Sequence, residues 1–293
     1  MKVAAIAIVL VVAIVSLTGC SSKGVPVDQD PRMTLPAVEK FVPNQTNQNR
    51  ITIILGVMIL CGLVYGIRYW SKTDNPAIVC MIVGASLNTL IEPFCDHMAA
   101  LLFFRGDYIV LEFFGRPMPL WLTLLYSASY GSFGLLIYLK LIKGATRKEF
   151  WVMFACMAAV AILFELVLTN IDGLYDYYGG HQPLEFMEYP FWMLGINGLG
   201  IMFTASMFYL LTPHLKGWRW LITLPLVPIT TMMFAYSACA YPAYIAINSQ
   251  FPAIVVHLLG ILSIAMSSAM IWILTLFVCK DSPYDLLCRR IAG

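Results

Sequence analysis

Asn88, Glu92 and Asp96 follow one another at intervals of four residues, with Gly84 one step before them and Pro93 and His97 beside them. On a helix that spacing lines up an amide and two carboxylic acids along one stripe. Two carboxyls one turn apart in a low dielectric cannot both ionise cheaply, so at least one is expected to hold a proton. A proton-holding acid beside an ionised one can work as a general acid paired with a base. A structural alternative stands next to this: the same groups tied into an interhelical hydrogen-bond network, or paired with Arg116 or His257. Other polar residues interrupt apolar stretches. Glu165 and Thr169 share a helix face that ends in Asn170 and Asp172, and Asn197 sits between Gly195 and Gly198. Tyr126, Ser127, Tyr130, Tyr236, Tyr241 and His257 complete the set. Their chemistry suggests roles. Glu92 is the general acid, with Asp96 sharing its proton, and Glu165 and Asp172 are the base or the stabilisers of a carbocation-like state. Asn88 and Asn197 orient groups, His97 and His257 are further binding groups, and Tyr126, Tyr130 and Tyr236 shield a cation with their ring faces. No HxxxH or HExxH spacing occurs, so neither a metal nor a cofactor is expected.

These residues need elements to carry them, and the composition says which. Of 293 residues, 60% are hydrophobic and 12% charged, against about 45–50% and about 25% in a typical soluble domain. Mean hydropathy is +0.80. So little charge cannot cover a water-soluble body of this size, which excludes a soluble enzyme and a nucleic-acid binder. The fold class expected is all-α, a polytopic membrane bundle. Seven apolar segments have the length of a bilayer-crossing helix, about 20 residues: Ile51–Trp70, Pro76–Phe104, Met118–Ile142, Phe150–Thr169, Pro190–Leu211, Trp220–Tyr241 and Pro252–Cys279. Their connections sort by charge. One side holds Arg68, Lys72, Lys140, Lys143, Arg147, Lys148, Lys216, Arg219, Lys280, Arg289 and Arg290, and the other holds Arg105 and Arg116. The positive-inside rule places the first set in the cytoplasm, with the carboxyl terminus, and the residues before the first span outside. On straight helices Glu92 then lies about 18 Å, Asp96 about 12 Å, Asn197 about 10 Å and Glu165 about 6 Å below the outer ends. The polar groups form a cup in the outer half of the membrane above an apolar floor.

The amino terminus has its own signature. Met1-Lys2, an apolar run from Val3 to Leu17 and small residues to Ser22 form a secretory signal. Leu17-Thr18-Gly19-Cys20 resembles the lipobox of bacterial lipoproteins, which implies processing and lipidation at Cys20. The other reading of 1–20 is an additional transmembrane helix. Residues 21–50, rich in Pro, Asn, Gln and Asp, are expected to be an extracytoplasmic tether, and 51–293 the seven-helix domain. Asn44-Gln45-Thr46 matches a glycosylation sequon by chance. The eight cysteines are scattered, mostly within apolar segments, and suggest neither a disulfide framework nor a metal site. The chain is therefore expected in the cell (inner) membrane.

Between the fourth and fifth segments, 172–186 mixes Asp172, Asp176, His181 and Glu185 with aromatics and glycines. Aromatics at a membrane face are belt residues, whereas acids gathered above a polar cup fit a lid. Residues 105–119 lie in the interface, with Arg116 open to a carboxylate or a lipid phosphate. Glu92-Pro93 within a polar helix, and Gln182-Pro183-Leu184-Glu185-Phe186, give the chain a distant resemblance to small integral-membrane enzymes of isoprenoid metabolism. These are the membrane lycopene cyclases, carotenoid hydratases and membrane terpene cyclases. That resemblance implies a compact helix bundle that protonates an alkene with a buried carboxylic acid, here Glu92 or Glu165. The partners expected are the bilayer and a membrane lipid or isoprenoid, with no nucleic acid. Two other classes stand beside the enzyme: a proton-coupled transporter, and a non-catalytic receptor or assembly factor. Transporters usually show internal repeats and broken helices in both halves, and neither is evident in this sequence.

Overall fold

Asn44 sets where the first helix starts. Its side chain accepts a hydrogen bond from the Asn47 N–H at 3.2 Å, the geometry of an N-cap. Helix α1 therefore runs Gln45–Thr73, so Gln45–Arg50 form its first turns rather than the end of a tether. Gln48 is buried there and donates to the carbonyl of Gly173 at 3.0 Å. The computed structural model describes residues 42–178, 182–248 and 251–282. The signal segment with Cys20, most of the expected tether, and His181 lie outside the described residues.

Six helices are long and apolar enough to cross a membrane. They are Gln45–Thr73, Leu120–Ile142, Arg147–Thr169, Met193–His214, Gly217–Cys239 and Ala253–Val278. The second apolar segment is not one straight helix. It forms α2 (Ala77–Ser86), a tight turn over Leu87–Leu90 and α3 (Glu92–Ala99), with a bend of 54°. Seven passages result only if this bent pair is counted as one. Pro93 supplies a reason for the break, because it lacks an N–H and its ring crowds the carbonyl of Thr89. Ala100 then turns left-handed, at φ 52°, and ends α3. Leu101–Phe103, expected to continue the helix, is a strand. Depths reckoned along a straight helix therefore do not hold for Glu92 and Asp96.

Two spans change their winding midway. In the third, α4 (Leu120–Tyr126) passes into a π-helix, Ser127–Phe133, and then α5 (Gly134–Ile142). In the sixth, α8 (Thr223–Pro228) passes into a longer π-helix, Ile229–Cys239. Pro228 cannot donate to the carbonyl one turn back, and the wider winding begins at the next residue. Gly131 lets the third span cross α2 closely: a Cβ there would fall 2.6 Å from the Cα of Ile82.

Arg147–Thr169 is α6, Met193–Leu211 α7, Tyr241–Ile247 α9 and Ala253–Val278 α10. The most enclosed span is the one containing α7, with 67% of its apolar window buried, whereas α1 and α6 bury only 17% each and form the outer wall. One end of the bundle carries β structure, which an all-α fold did not anticipate. Strand β1 (Leu101–Phe103) pairs antiparallel with β4 (Tyr175–Tyr177), placing Leu101 opposite Tyr177 and Phe103 opposite Tyr175. β2 (Ile109–Phe113) and β3 (Arg116–Pro119) form a hairpin, and β5 (Glu185–Phe186) and β6 (Tyr189–Pro190) a shorter one. At the opposite end Thr146 and Glu149 cap α6 reciprocally, through Glu149 N–H to Thr146 Oγ1 at 3.2 Å and Thr146 N–H to Glu149 Oε2 at 2.8 Å. Thr146→Ala is expected to lower stability by about 1 kcal/mol. A detergent–SDS unfolding titration checks this, and an unchanged midpoint would count against the capping box.

Candidate functional site

Two cavities meet at Glu165. The inner one, about 40 Å³, is lined by Glu92, Tyr126, Glu165, Tyr175, Tyr177 and Tyr236 among apolar neighbours that include Leu101, Phe103 and Met193. The second, about 90 Å³, shares Leu125, Tyr126, Glu165 and Tyr236 with it and adds Tyr130, Asn197 and a wall of Leu55, Met58, Met157, Val160, Ala161 and Phe164. Both volumes exceed the roughly 10–15 Å³ that one water needs.

Each polar group reaches this place through a distinct element. Glu92 opens α3 just past the break, so the bend aims its carboxyl inward, and it is buried. Its neighbours include the Tyr126 hydroxyl and Asp96, and Glu165 lies within electrostatic reach. One of its oxygens, Oε2, is buried without a hydrogen-bond partner. Glu165 comes from the last turns of α6 and accepts a hydrogen bond from the Tyr175 hydroxyl on β4. The two π-helices supply Tyr130 and Tyr236, and Tyr126 ends the α-helical turn before the first of them. The Tyr130 hydroxyl donates to that of Tyr236 at 3.0 Å, Tyr236 donates to Asn197 Oδ1, and Tyr126 packs on Tyr130 at 5.8 Å between ring centroids. π-winding is rare and recurs at functional sites, where it re-aims side chains. Gly200 leaves room for Tyr130, since a Cβ there would meet its ring at 2.8 Å.

No family model, curated protein or solved structure matches the chain.

Of the residues expected in the site, Glu92, Glu165, Tyr126, Tyr130, Asn197 and Tyr236 line one or both cavities. Asp96 is adjacent rather than lining. It is buried beside Glu92, with Arg116 within electrostatic reach, and neither of its carboxyl oxygens has a hydrogen-bond partner. Asn88 is an interhelical tie, accepting from Thr231 Oγ1 at 2.6 Å. His97 is half-buried, lines neither cavity, and stands 3.5 Å from Arg116 Nη2. Two expectations are corrected. Asp172 is exposed and lines a separate, more open depression with Asn44 and Gln45, away from both cavities. His257 is also exposed, and its Nδ1 accepts the Leu184 N–H at 3.1 Å, so it holds the loop before β5 in place. Among the described residues no group of three or more His, Cys, Asp or Glu side chains is placed to hold a metal.

Tyr175 and Tyr177 escaped the sequence reading because membrane-belt behaviour accounted for aromatics in that stretch. The signal available was alternation: Tyr175-Asp176-Tyr177 on a strand turns both tyrosines to one face. The two rings do line the inner cavity, whereas Asp176, half-buried, lies near Glu188 and Glu185. Burial, then repulsion from Glu188 and Glu185, raises the Asp176 carboxyl above its ordinary range, against a lowering by the Tyr177 N–H. The folded state therefore binds this proton more tightly than the unfolded chain, and ionisation costs stability as pH rises through the raised range. Asp176→Asn should shrink the loss of thermal stability as pH rises above the ordinary aspartate range, about pH 4. Parallel melting curves for the two proteins would refute this.

Arranged this way, the site can present two carboxyls to one small apolar space. One is oriented by a tyrosine, and phenol rings and an amide stand around them.

Proposed function

We propose that this chain is an integral membrane enzyme that acts on a lipid or isoprenoid by carboxylate general acid–base chemistry. The observation that carries the reading is that Glu92 and Glu165, from different spans, line the same cavity. That cavity adjoins a second one walled by the membrane-facing helices α1 and α6. Carboxyls in an apolar setting are expensive to place, which favours a working role over glue. Glu92 gives a proton to the substrate, and Glu165, held by Tyr175, receives one or balances a developing positive charge. The faces of Tyr126, Tyr130 and Tyr236 suit a cationic intermediate. Asp96 shares the local charge balance with Glu92, and Asp172 has no part. The basic loops face the cytoplasm in this reading, the β-bearing end faces outward, and seven passages cross the inner membrane. The weak likeness to membrane cyclases and hydratases is consistent with alkene protonation.

The test compares lipid extracts from membranes holding wild-type protein, Glu92→Gln, Glu165→Gln or no protein, analysed by mass spectrometry. A lipid species that depends on the wild type and vanishes in both variants is expected. Identical extracts in all four, together with proton-driven solute uptake by reconstituted vesicles, would replace the enzyme with a carrier.

A further inference from the structure

The second cavity has a side as well as a depth. Helix α1 packs on α2, α4 and the third-span π-helix, and α6 packs on α7, α10 and the strands β4 and β6. The cavity lies where these two groups of contacts leave α1 and α6 apart. Its wall there is Leu55 and Met58 from α1, and Met157, Val160, Ala161 and Phe164 from α6. Val160 and Phe164 are exposed, at 38% and 39%. Around the opening the outward faces of both helices are wholly apolar, with Ile53, Ile54 and Val57 on one and Leu163 and Val167 on the other. Counted along the helices at 1.5 Å per residue, Leu55 and Met58 lie roughly 15–20 Å from the amino end of α1, and Val160 to Phe164 roughly 8–14 Å from the carboxyl end of α6. Those ends share the side that carries the strands. In the proposed topology the opening therefore lies below the interface, facing lipid tails rather than bulk water.

We propose that the gap between α1 and α6 is a lateral portal through which a single unsaturated hydrocarbon chain passes from the bilayer core to Glu165. The occupant's chemistry follows from the lining. The walls from α1 and α6 are aliphatic and aromatic apart from Glu165, and the other polar lining groups are Ser129, Asn197 and the hydroxyls of Tyr126, Tyr130 and Tyr236, which come from other elements. A charged headgroup would have to cross the aliphatic wall unpaired, which is costly. A hydrocarbon chain loses nothing on leaving lipid for such a wall, and its leading alkene meets the carboxyl. The free volume of about 90 Å³ holds the end of a chain rather than a whole lipid, so the remainder stays in the bilayer. This rests on the proposed function for the fate of the chain but not for its passage.

The test uses the full chain in nanodiscs with a C15 isoprenyl alcohol that carries a photoreactive diazirine at its hydrocarbon end, and maps adducts by mass spectrometry. Adducts on Met58, Met157 and Phe164 should exceed those on the outward residues Ile53 and Ile54 at least tenfold. Ala161→Trp, which fills the gap, should remove that excess, and Val57→Trp, on the outward face of α1, should leave it intact. Equal labelling of the portal and outward residues overturns the proposal, as does an excess that survives Ala161→Trp. The two readings fail separately. Loss of the lipid product in Glu165→Gln with uniform labelling leaves the enzyme and removes the portal. Portal labelling with no lipid product leaves the portal and removes the enzyme.

Discussion

Glu165→Gln is expected to lower turnover of the protein's lipid substrate by about 10²–10⁴-fold, the usual contribution of a positioned acid or base. Glutamine keeps the size of the side chain and can still accept from Tyr175, so the fold around β4 should persist while the proton carrier is gone. Glu92→Gln should fall in the same range, because the two carboxyls line one cavity from opposite elements. The Tyr175 hydroxyl touches Glu165 rather than standing for it. Tyr175→Phe should cost less, about 10–100-fold, the worth of one hydrogen bond to a charged group. Asp172→Asn, exposed on another depression, should not differ from wild type. Single-turnover rates in proteoliposomes, against the lipid species that the mass-spectrometric comparison identifies, give the ordering. Full activity in Glu165→Gln, or a Tyr175→Phe loss larger than that of Glu165→Gln, would remove the carboxyl pair from the mechanism.

How far the sequence could be read depended on which interactions were local. Span positions follow from apolar run length, and α5, α6 and α10 end within a few residues of where hydropathy alone puts them. The isolated acids Glu92 and Glu165 stood out because an apolar chain leaves few reasons for them. Their convergence was less legible. A uniform period of 3.6 put Gly84, Asn88, Glu92 and Asp96 on one stripe, but the break before Pro93 and the bend of 54° separate Asn88, tied to Thr231, from Glu92 in the cavity. The π-helices that carry Tyr130 and Tyr236 have no period to detect over 7 and 11 residues. Asp172 was misplaced because nearness to the site along a helix was counted without the turn at its end, and His257 because a lone polar residue in an apolar helix does not reveal which face it takes. Tyr175 reaches Glu165 through the pairing of β4 with a strand 72 to 76 residues earlier in the chain, and no local pattern specifies that partner.

Arg116→Leu is expected to cost about 3–5 kcal/mol, the range for removing one partner from a buried polar cluster. Arg116 is fully buried. It donates to the Leu101 carbonyl on β1 and to the Tyr178 hydroxyl just after β4, with its guanidinium 5.5 Å from the Tyr178 ring centre. One side chain therefore spans both strands of the ribbon that holds Tyr175 against Glu165. It is also a cation within electrostatic reach of Asp96, which is buried beside Glu92. Leucine removes the strand tie and leaves Asp96 among acids alone. Asp96→Asn in the same chain removes that second penalty without restoring the first. The double variant should thus recover about 0.5–3 kcal/mol over Arg116→Leu, the size of coupling between neighbouring groups. Detergent–SDS unfolding of the wild type, both single variants and the double variant closes the cycle. Additivity within about 0.5 kcal/mol would show that Arg116 does not serve Asp96. Arg116→Leu should also slow turnover, and the double variant should regain stability without regaining rate, because Tyr175 stays displaced in both.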